Sequence, residues 1–423
     1  MKDALAAVAR ELLSSVESDF EELTLRASLS GGGGGHRIDA RPDDVLLGHS
    51  GYEQKLYPIG LTRPVVLELR IFQDGTFEAV VTEDVGQRTG HLPPIYTVLR
   101  TRPELPEPSP VSTLADVEAV IGAPLPPEVH ELYASGVQID DEIDLYPPDD
   151  IISAWRLYRS MVENDPEFWG ETLLYVGPPG AVRTVQFHPL WVPIASNEWG
   201  DNLCVDLAPG PNGRIGQIIQ LAGEAPLTYL AESATAWAQS PDGPGHGKLE
   251  ASWKVPDLGP DGVAALATTL QKLVLHDPGD LDFGLLARLT SLRELWIRGG
   301  GSVRLEDLAH LPLESLHVMA DEIELPKCET LRSLTVSGAR VELPTYPNLR
   351  VLDVSGAEVD VESLPPVDHL TLNVEQWQRC SLTPAAATLT GESSLLRALA
   401  WARERGAERP YEVISGAVVP ARP

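Results

Sequence analysis

Cysteine, methionine and phenylalanine are the scarce residues of this 423-residue chain, at three, three and six copies. Cys204, Cys328 and Cys380 lie far apart with no CxxC spacing, so neither a zinc site nor a disulfide framework is signalled. The ten histidines form no HExxH or clustered ligand set, and the expected metal is none. No apolar stretch approaches the roughly 18 residues of a membrane-crossing helix. The start, MKDALAAVARELLSSVESD, has an acid at position 3 and lacks the apolar core of a secretory signal. The expected location is therefore cytoplasmic, with no membrane contact. Basic side chains are outnumbered 32 to 62, for a net charge of −30 and a pI near 4.6. That balance argues against nucleic-acid phosphates as a direct ligand and for a basic protein partner, the plainer reading being an acidic surface that keeps the protein soluble.

The length predicts two or three domains. At the N-terminus Leu5, Val8, Leu12, Leu13 and Val16 fall at helical spacing, and the β-rich runs 66–72 and 77–81 flank an Asp74-Gly75 hairpin turn. Together they give a small α+β domain over 1–102. Gly31 to Gly35 lacks the Gly-Lys-Ser/Thr ending of a phosphate loop and reads as a flexible loop. The proline-alternating 102–110 reads as a stiff spacer, and 241–262, rich in Gly, Pro and Asp, as a second linker.

Between the linkers, Thr113 and Asp116 form a capping box for a helix ended by Gly122, and Pro126-Pro127 start a second helix. Asp149 and Asp150 stand at the positive end of a third. In 191–221 Leu203, Val205 and Leu207 alternate with Asn202, Cys204 and Asp206, the pattern of a strand with one buried face. Pro209 to Gly213 then supplies turn residues with positive φ, and the next strand begins at Ile215.

From 263 the chain repeats. LxxLxL recurs from Leu270-Leu273-Leu275 to Val367-Leu370-Leu372, with middle positions 22, 21, 18, 18 and 18 residues apart. This predicts a leucine-rich repeat array over 263–423, its backs extended in the shorter repeats and its C-terminal end capped by a helix carrying Leu395, Leu396 and Leu399. The leucines point inward. Strand positions such as Arg293, Glu294, Trp296, His317, Arg332, Thr335, Asp353 and Thr371 are the candidate contacts.

The stretch 191–221, with Ile121-Gly122-Ala123-Pro124-Leu125-Pro126 upstream, resembles the SUKH superfamily over about 111–240. The N-terminal domain is similar to YezG-type immunity domains. The SUKH resemblance implies a central α+β domain framed by Gly122, Leu125, Pro126, Trp191, Pro193, Ile194, Gly200, Asp201, Asp206, Leu207, Gly216 and Gln217. The whole chain is then an α+β multidomain protein. No catalysis is implied: Glu198, Asp201 and Asp206 have no companion nucleophile, GxSxG elbow or phosphate loop, so no residue is assigned as catalytic, no cofactor is expected and the chain reads as a non-enzyme.

More than half of the excess charge falls in the central third, with a net −16 over 111–250 against −6 before it and −8 after it. Ten acids fall within 32 positions there, relieved only by Arg156 and Arg159. Asp140, Asp141, Glu142, Asp144, Asp149, Asp150, Glu163, Asp165 and Glu167 are the expected partner-binding residues. The best-known bacterial SUKH members being immunity proteins, the resemblance implies neutralisation of a toxin domain, a nuclease with a basic cleft fitting the acidic surface. The alternative is a protein-interaction scaffold, or a cell-wall or signalling regulator, working through the repeats.

Overall fold

The computed structural model describes residues 1–16, 18–30, 33–42, 45, 51–61, 64–83, 96–99, 110–136, 143–164, 168–197, 200–221, 226–240, 249–254, 259–279, 281–299 and 301–419. The chain divides into two compact units, Met1–Arg100 with Thr371–Pro423, and Thr101–Leu370. It is a mixed α+β protein with several sheets.

In the first unit, the helix Lys2–Ser14 lies over a sheet in which Glu22–Ser30 pairs antiparallel with both Gly33–Arg41 and Val65–Phe72. The hairpin partner Thr76–Glu83 follows, and Tyr411–Ala417 forms the far edge. Leu5, Val8 and Leu12 bury against Leu23, Leu25, Leu67, Leu69 and Ile71, the odd-numbered face of the strands. Two observations differ from the sequence reading. Gly33 to Gly35 belong to a strand, where a Cβ on Gly34 (φ +144°) would lie 2.0 Å from the Ser28 carbonyl oxygen. The strand Tyr411–Ala417 completes this sheet, although its sequence follows the repeats. The helix Leu395–Glu404 packs beside Tyr96–Leu99, the antiparallel partner of Ala386–Thr390, and its first amide donates to Glu68 Oε2 at 2.9 Å.

The second unit contains a six-stranded sheet built around Trp191–Asn197, Asn202–Asp206 and Gln217–Leu221, all antiparallel. One face carries Leu203, Val205 and Ile218 against Leu125 and against Val117, Val129 and Ile151 of the helices Leu114–Ile121, Pro127–Ser135 and Pro148–Asn164. The other carries Cys204, Ile219 and Trp191 against Trp155, Val182 and Phe187. Asn202–Asp206 is therefore buried on both faces, not one. The alternation Leu-Cys-Val hides this, since a free cysteine packs as a small apolar group. Ile215 is exposed, and the strand begins at Gln217. The turn before it also works differently from expectation. The positive φ falls at Gly216 (+91°), whereas Gly210 and Gly213 are needed because a Cβ would lie 2.2 Å from the Gly180 and 2.0 Å from the Ala181 carbonyl oxygens.

The rest of the unit is a ladder of parallel strands: Lys272–His276, Glu294–Arg298, Ser315–Met319, Ser333–Arg340 and Val351–Glu358. Leu273, Leu295, Leu316, Leu334 and Leu352 stand in register and are fully buried. A further strand, Glu250–Lys254, pairs parallel with the first, and the helix Gly259–Ala265 follows it, so 241–262 is not a plain linker. The turns of the longer repeats are short 3-10 segments, such as Phe283–Arg288. The 102–109 spacer lies outside the described residues.

Candidate interaction face

The motif residues of the central segment converge. Pro126 caps the helix Pro127–Ser135 and abuts Gly216, whose added Cβ would sit 2.8 Å from the Pro126 ring. Gly122 (φ +78°) ends the first helix, and the Leu125 amide donates to Glu118 Oε1 at 2.7 Å. Pro193 lies at a shift in strand register, and the next carbonyl, Ile194, accepts from the Tyr133 hydroxyl (3.0 Å) and the Tyr146 amide (2.9 Å). Trp191 is fully buried, and the Leu207 amide donates to Leu190.

Asp206 and Gln217 form the polar centre of this segment. Gln217 Nε2 donates to Asp206 Oδ2 and to the Ala181 carbonyl, both at 2.8 Å, while its Oε1 accepts from the Arg214 amide. Burial pushes the Asp206 carboxyl above the usual range, and hydrogen bonds from Gln217 and Ala208 oppose the shift. Asp201 closes the preceding hairpin: its amide donates to Asn197 Oδ1 and its carboxylate accepts from Asn197 and Gln220, with Gly200 at φ +80°. These groups have their partners within the fold and hold three loops together.

Of the acidic residues, Asp144, Asp149 and Asp150 are exposed, the last two at the start of Pro148–Asn164. Glu163 pairs with Arg159 at 2.9 Å. Asp140, Asp141, Glu142, Asp165 and Glu167 lie outside the described residues.

A second set of residues, of which Arg293 and Arg332 were expected to contact a partner, joins the central segment to the strand ladder. Gln271, Arg293, Glu314 and Arg332 each stand one position before a strand, in the same place in successive repeats. Gln271 Oε1 accepts from the Tyr175 amide (2.9 Å) and its Nε2 donates to the Tyr175 carbonyl (2.6 Å). Arg293 donates to the Leu173 carbonyl and to Glu314 Oε1 (2.6 Å). Arg332 donates to Glu314 Oε2 and to the Thr184 carbonyl. A column of Gln, Arg, Glu, Arg at repeat spacing was the available signal, and side-chain type alone did not say that it faces inward to 173–184.

That docking leaves the strand surface beside it open as a cavity of about 340 Å³, walled by Gly170, Glu171 and Thr172 and floored by the ladder. On the floor, Trp296 and His317 stack with centroids 4.1 Å apart, and Arg298 lies over the Trp296 ring at 4.6 Å. Trp296 Nε1 donates to Glu294 Oε1, which also pairs with Lys272 at 3.5 Å. Ser315 Oγ is 3.1 Å from His317 Nε2. Burial, with Arg298 and Lys272 nearby, lowers the His317 pKa to about 4, so the ring is neutral at pH 7. Met319 is exposed at the strand end. Asp353, a sequence candidate, instead accepts from Ser355, with burial raising its carboxyl. Among the described residues no group of three or more His, Cys, Asp or Glu is placed to hold a metal, and no helix is long and apolar enough to cross a membrane.

The helix-flanked sheet with its buried Asp–Gln centre is of a known class: residues 110–240 match the SMI1 / KNR4 family (SUKH-1), which supports the SUKH superfamily for this segment. Among curated proteins, the chain is similar to the cell wall biosynthesis/cell cycle regulator smi1 of Schizosaccharomyces pombe, 44% identical over 61 residues, 14% of this chain and 12% of that protein. The glucan synthesis regulatory protein of Neurospora crassa is 43% identical over 61 residues, 14% of this chain and 11% of its own length. The cell wall assembly regulator SMI1 of Saccharomyces cerevisiae is 52% identical over 42 residues, 10% of this chain and 8% of its own. The chain thus spans about an eighth or less of these relatives. Their names overturn the toxin-neutralising expectation: the relatives are regulators of cell-wall and glucan synthesis, not immunity proteins.

Proposed function

We propose that this chain is a non-enzymatic regulatory interaction protein, in which the SUKH-type domain and a leucine-rich repeat ladder form one body that holds a protein partner. The observation that carries this reading is the lip of Gln271, Arg293, Glu314 and Arg332. It uses up the edge of the ladder to fix the SUKH-type domain, and it leaves the strand face beside it with Trp296 and His317 half-buried in the cavity floor and Met319 exposed. Aromatic residues and methionine are the side chains enriched at protein interfaces. By analogy with the cell-wall and glucan-synthesis regulators, the partner belongs to the machinery or signalling of envelope synthesis. The partner is neither nucleic acid nor membrane, and the site of action is the cytoplasm.

The test is affinity capture of the full chain from its native cells. Retention of a defined protein of envelope synthesis or signalling, lost when Trp296 and Met319 are replaced, is the expected result. Capture that is unchanged by those replacements, or turnover of a small substrate by the purified protein, overturns the reading.

A further inference from the structure

A cavity of about 520 Å³ in the first unit lies on the sheet face opposite the helix Lys2–Ser14 and is closed on one side by residues 391–394 and Arg397. This chain is short of basic residues, yet five of its arginines line that one cleft: Arg26, Arg37, Arg41, Arg70 and Arg397. Strand register puts four of them there, and Arg397 comes from the helix Leu395–Glu404. Arg37 stands directly opposite Arg26, and Arg26 opposite Glu68, while Thr24 lies between Asp39 and Arg70. Like charges directly opposite each other in a sheet are destabilising unless something neutralises them. Here a single carboxylate, Asp39, is shared by Arg26 and Arg37.

The inventory of hydrogen-bonding groups decides what the cleft can take. Its carboxylates are committed within the protein. Glu22 accepts from Arg70 Nε and Nη2 and from Thr24, and Glu68 accepts from the Leu395 amide and pairs with Arg26. Glu392 accepts from Arg397 and from the Ser394 amide. The guanidinium groups are not used up in the same way, since each offers five N–H donors. Arg37 commits only Nε, and Arg70 and Arg397 keep Nη1 free, among the described residues. The Arg41 guanidinium has no hydrogen-bond or ion-pair partner among the described residues, and its field helps to hold the Glu22 carboxyl low, after the bonds from Arg70 and Thr24. Acceptors are consumed and donors are left over. The cleft therefore presents N–H groups to an incoming ligand, and the rim arginines, Arg37 and Arg397, are 62% and 69% exposed.

We propose that this cleft binds a small oxyanion, the phosphate or carboxylate group of a compact polar molecule, held by Arg37 and Arg41 with Arg397 from the opposite rim. Guanidinium forks match such groups in geometry, and the volume falls in the range of small-molecule sites. The site is separate from the interaction face described above and does not depend on it.

Isothermal titration of the full chain with inorganic phosphate, phosphoserine and succinate tests this. Saturable binding of at least one is expected; the phosphate and succinate arms separate a phosphate ligand from a carboxylate. Arg41→Gln and Arg37→Gln should each weaken binding about tenfold, the loss of one charge-assisted hydrogen bond. Arg183→Gln, outside the cleft, should leave it unchanged. The two cleft arginines carry no core packing, and melting curves of the variants check that they fold. Should a folded variant be scarce, a rise in wild-type melting temperature with phosphate that chloride at equal ionic strength does not reproduce supports the site. No saturable binding to any of the three, or equal affinity in wild type and both Gln variants, overturns it.

Discussion

Arg293 and Glu314, 21 residues apart and 2.6 Å from each other, form a buried pair that Arg332 turns into a triad, and the arginines anchor the backbone of 173–184 through Leu173 and Thr184. A triad with so little exposure is held by mutual neutralisation, and removing the shared acid strands two cations. Glu314→Gln should cost on the order of 3–5 kcal/mol. Denaturant midpoints measure this, and hydrogen exchange should show residues 173–184 losing protection before the strands do. Little change in either would mean that the loop is held by the Gln271–Tyr175 contact alone.

His317 gives a pH dependence of known sign. Its folded pKa, about 4, lies below the ordinary value of about 6.5. As pH falls from 6.5 to 4 the unfolded chain takes up a proton that the folded chain refuses, so stability drops across that window and no further below it. Asp353, raised by burial, acts in the other direction, so the wild type is compared with His317→Gln. The loss between pH 7 and 4.5 should be on the order of 2 kcal/mol smaller in the variant. Equal losses would contradict a desolvated imidazole.

The three cysteines should label in a fixed order. Cys204 is fully buried, its thiol pushed well up by burial, and Cys328 is buried with its thiol raised to about 11, whereas Cys380 is only partly covered. A maleimide should modify Cys380 in the native protein and the other two only on unfolding. Native labelling of Cys204 would mean that the central sheet opens.

Asp144, Asp149 and Asp150 are exposed acids of a domain with a large negative excess. Replacing all three by Lys should leave the melting temperature close to that of the wild type, since charges this exposed carry little folding energy. A large drop would mean that they make contacts that hold the helix Pro148–Asn164.

Sequence pattern carried a good part of the architecture. The capping box at Thr113, the stop at Gly122 and the Asp74-Gly75 hairpin are local signals, and local chemistry sets them. The LxxLxL spacing foresaw strands in parallel register, because each leucine must bury beside its copy. What pattern could not supply was the destination of long-range elements. Tyr411–Ala417 has no mark that sends it to Thr76–Glu83, and Gly210 and Gly213 are glycines for a carbonyl's approach that only the folded chain makes. Arg293 and Arg332 looked like surface residues because charge type says nothing of a buried acid waiting between them.

The central claim, that the strand face beside the SUKH-type domain holds a protein partner, is tested most directly by hydrogen exchange of the full chain with and without the captured partner. Protection should appear over 272–276, 294–298 and 315–319, and binding should fall by tenfold or more, about 1.4 kcal/mol, in Trp296→Ala. Protection confined to the first unit, or a Trp296→Ala protein that binds as tightly as the wild type, would contradict it.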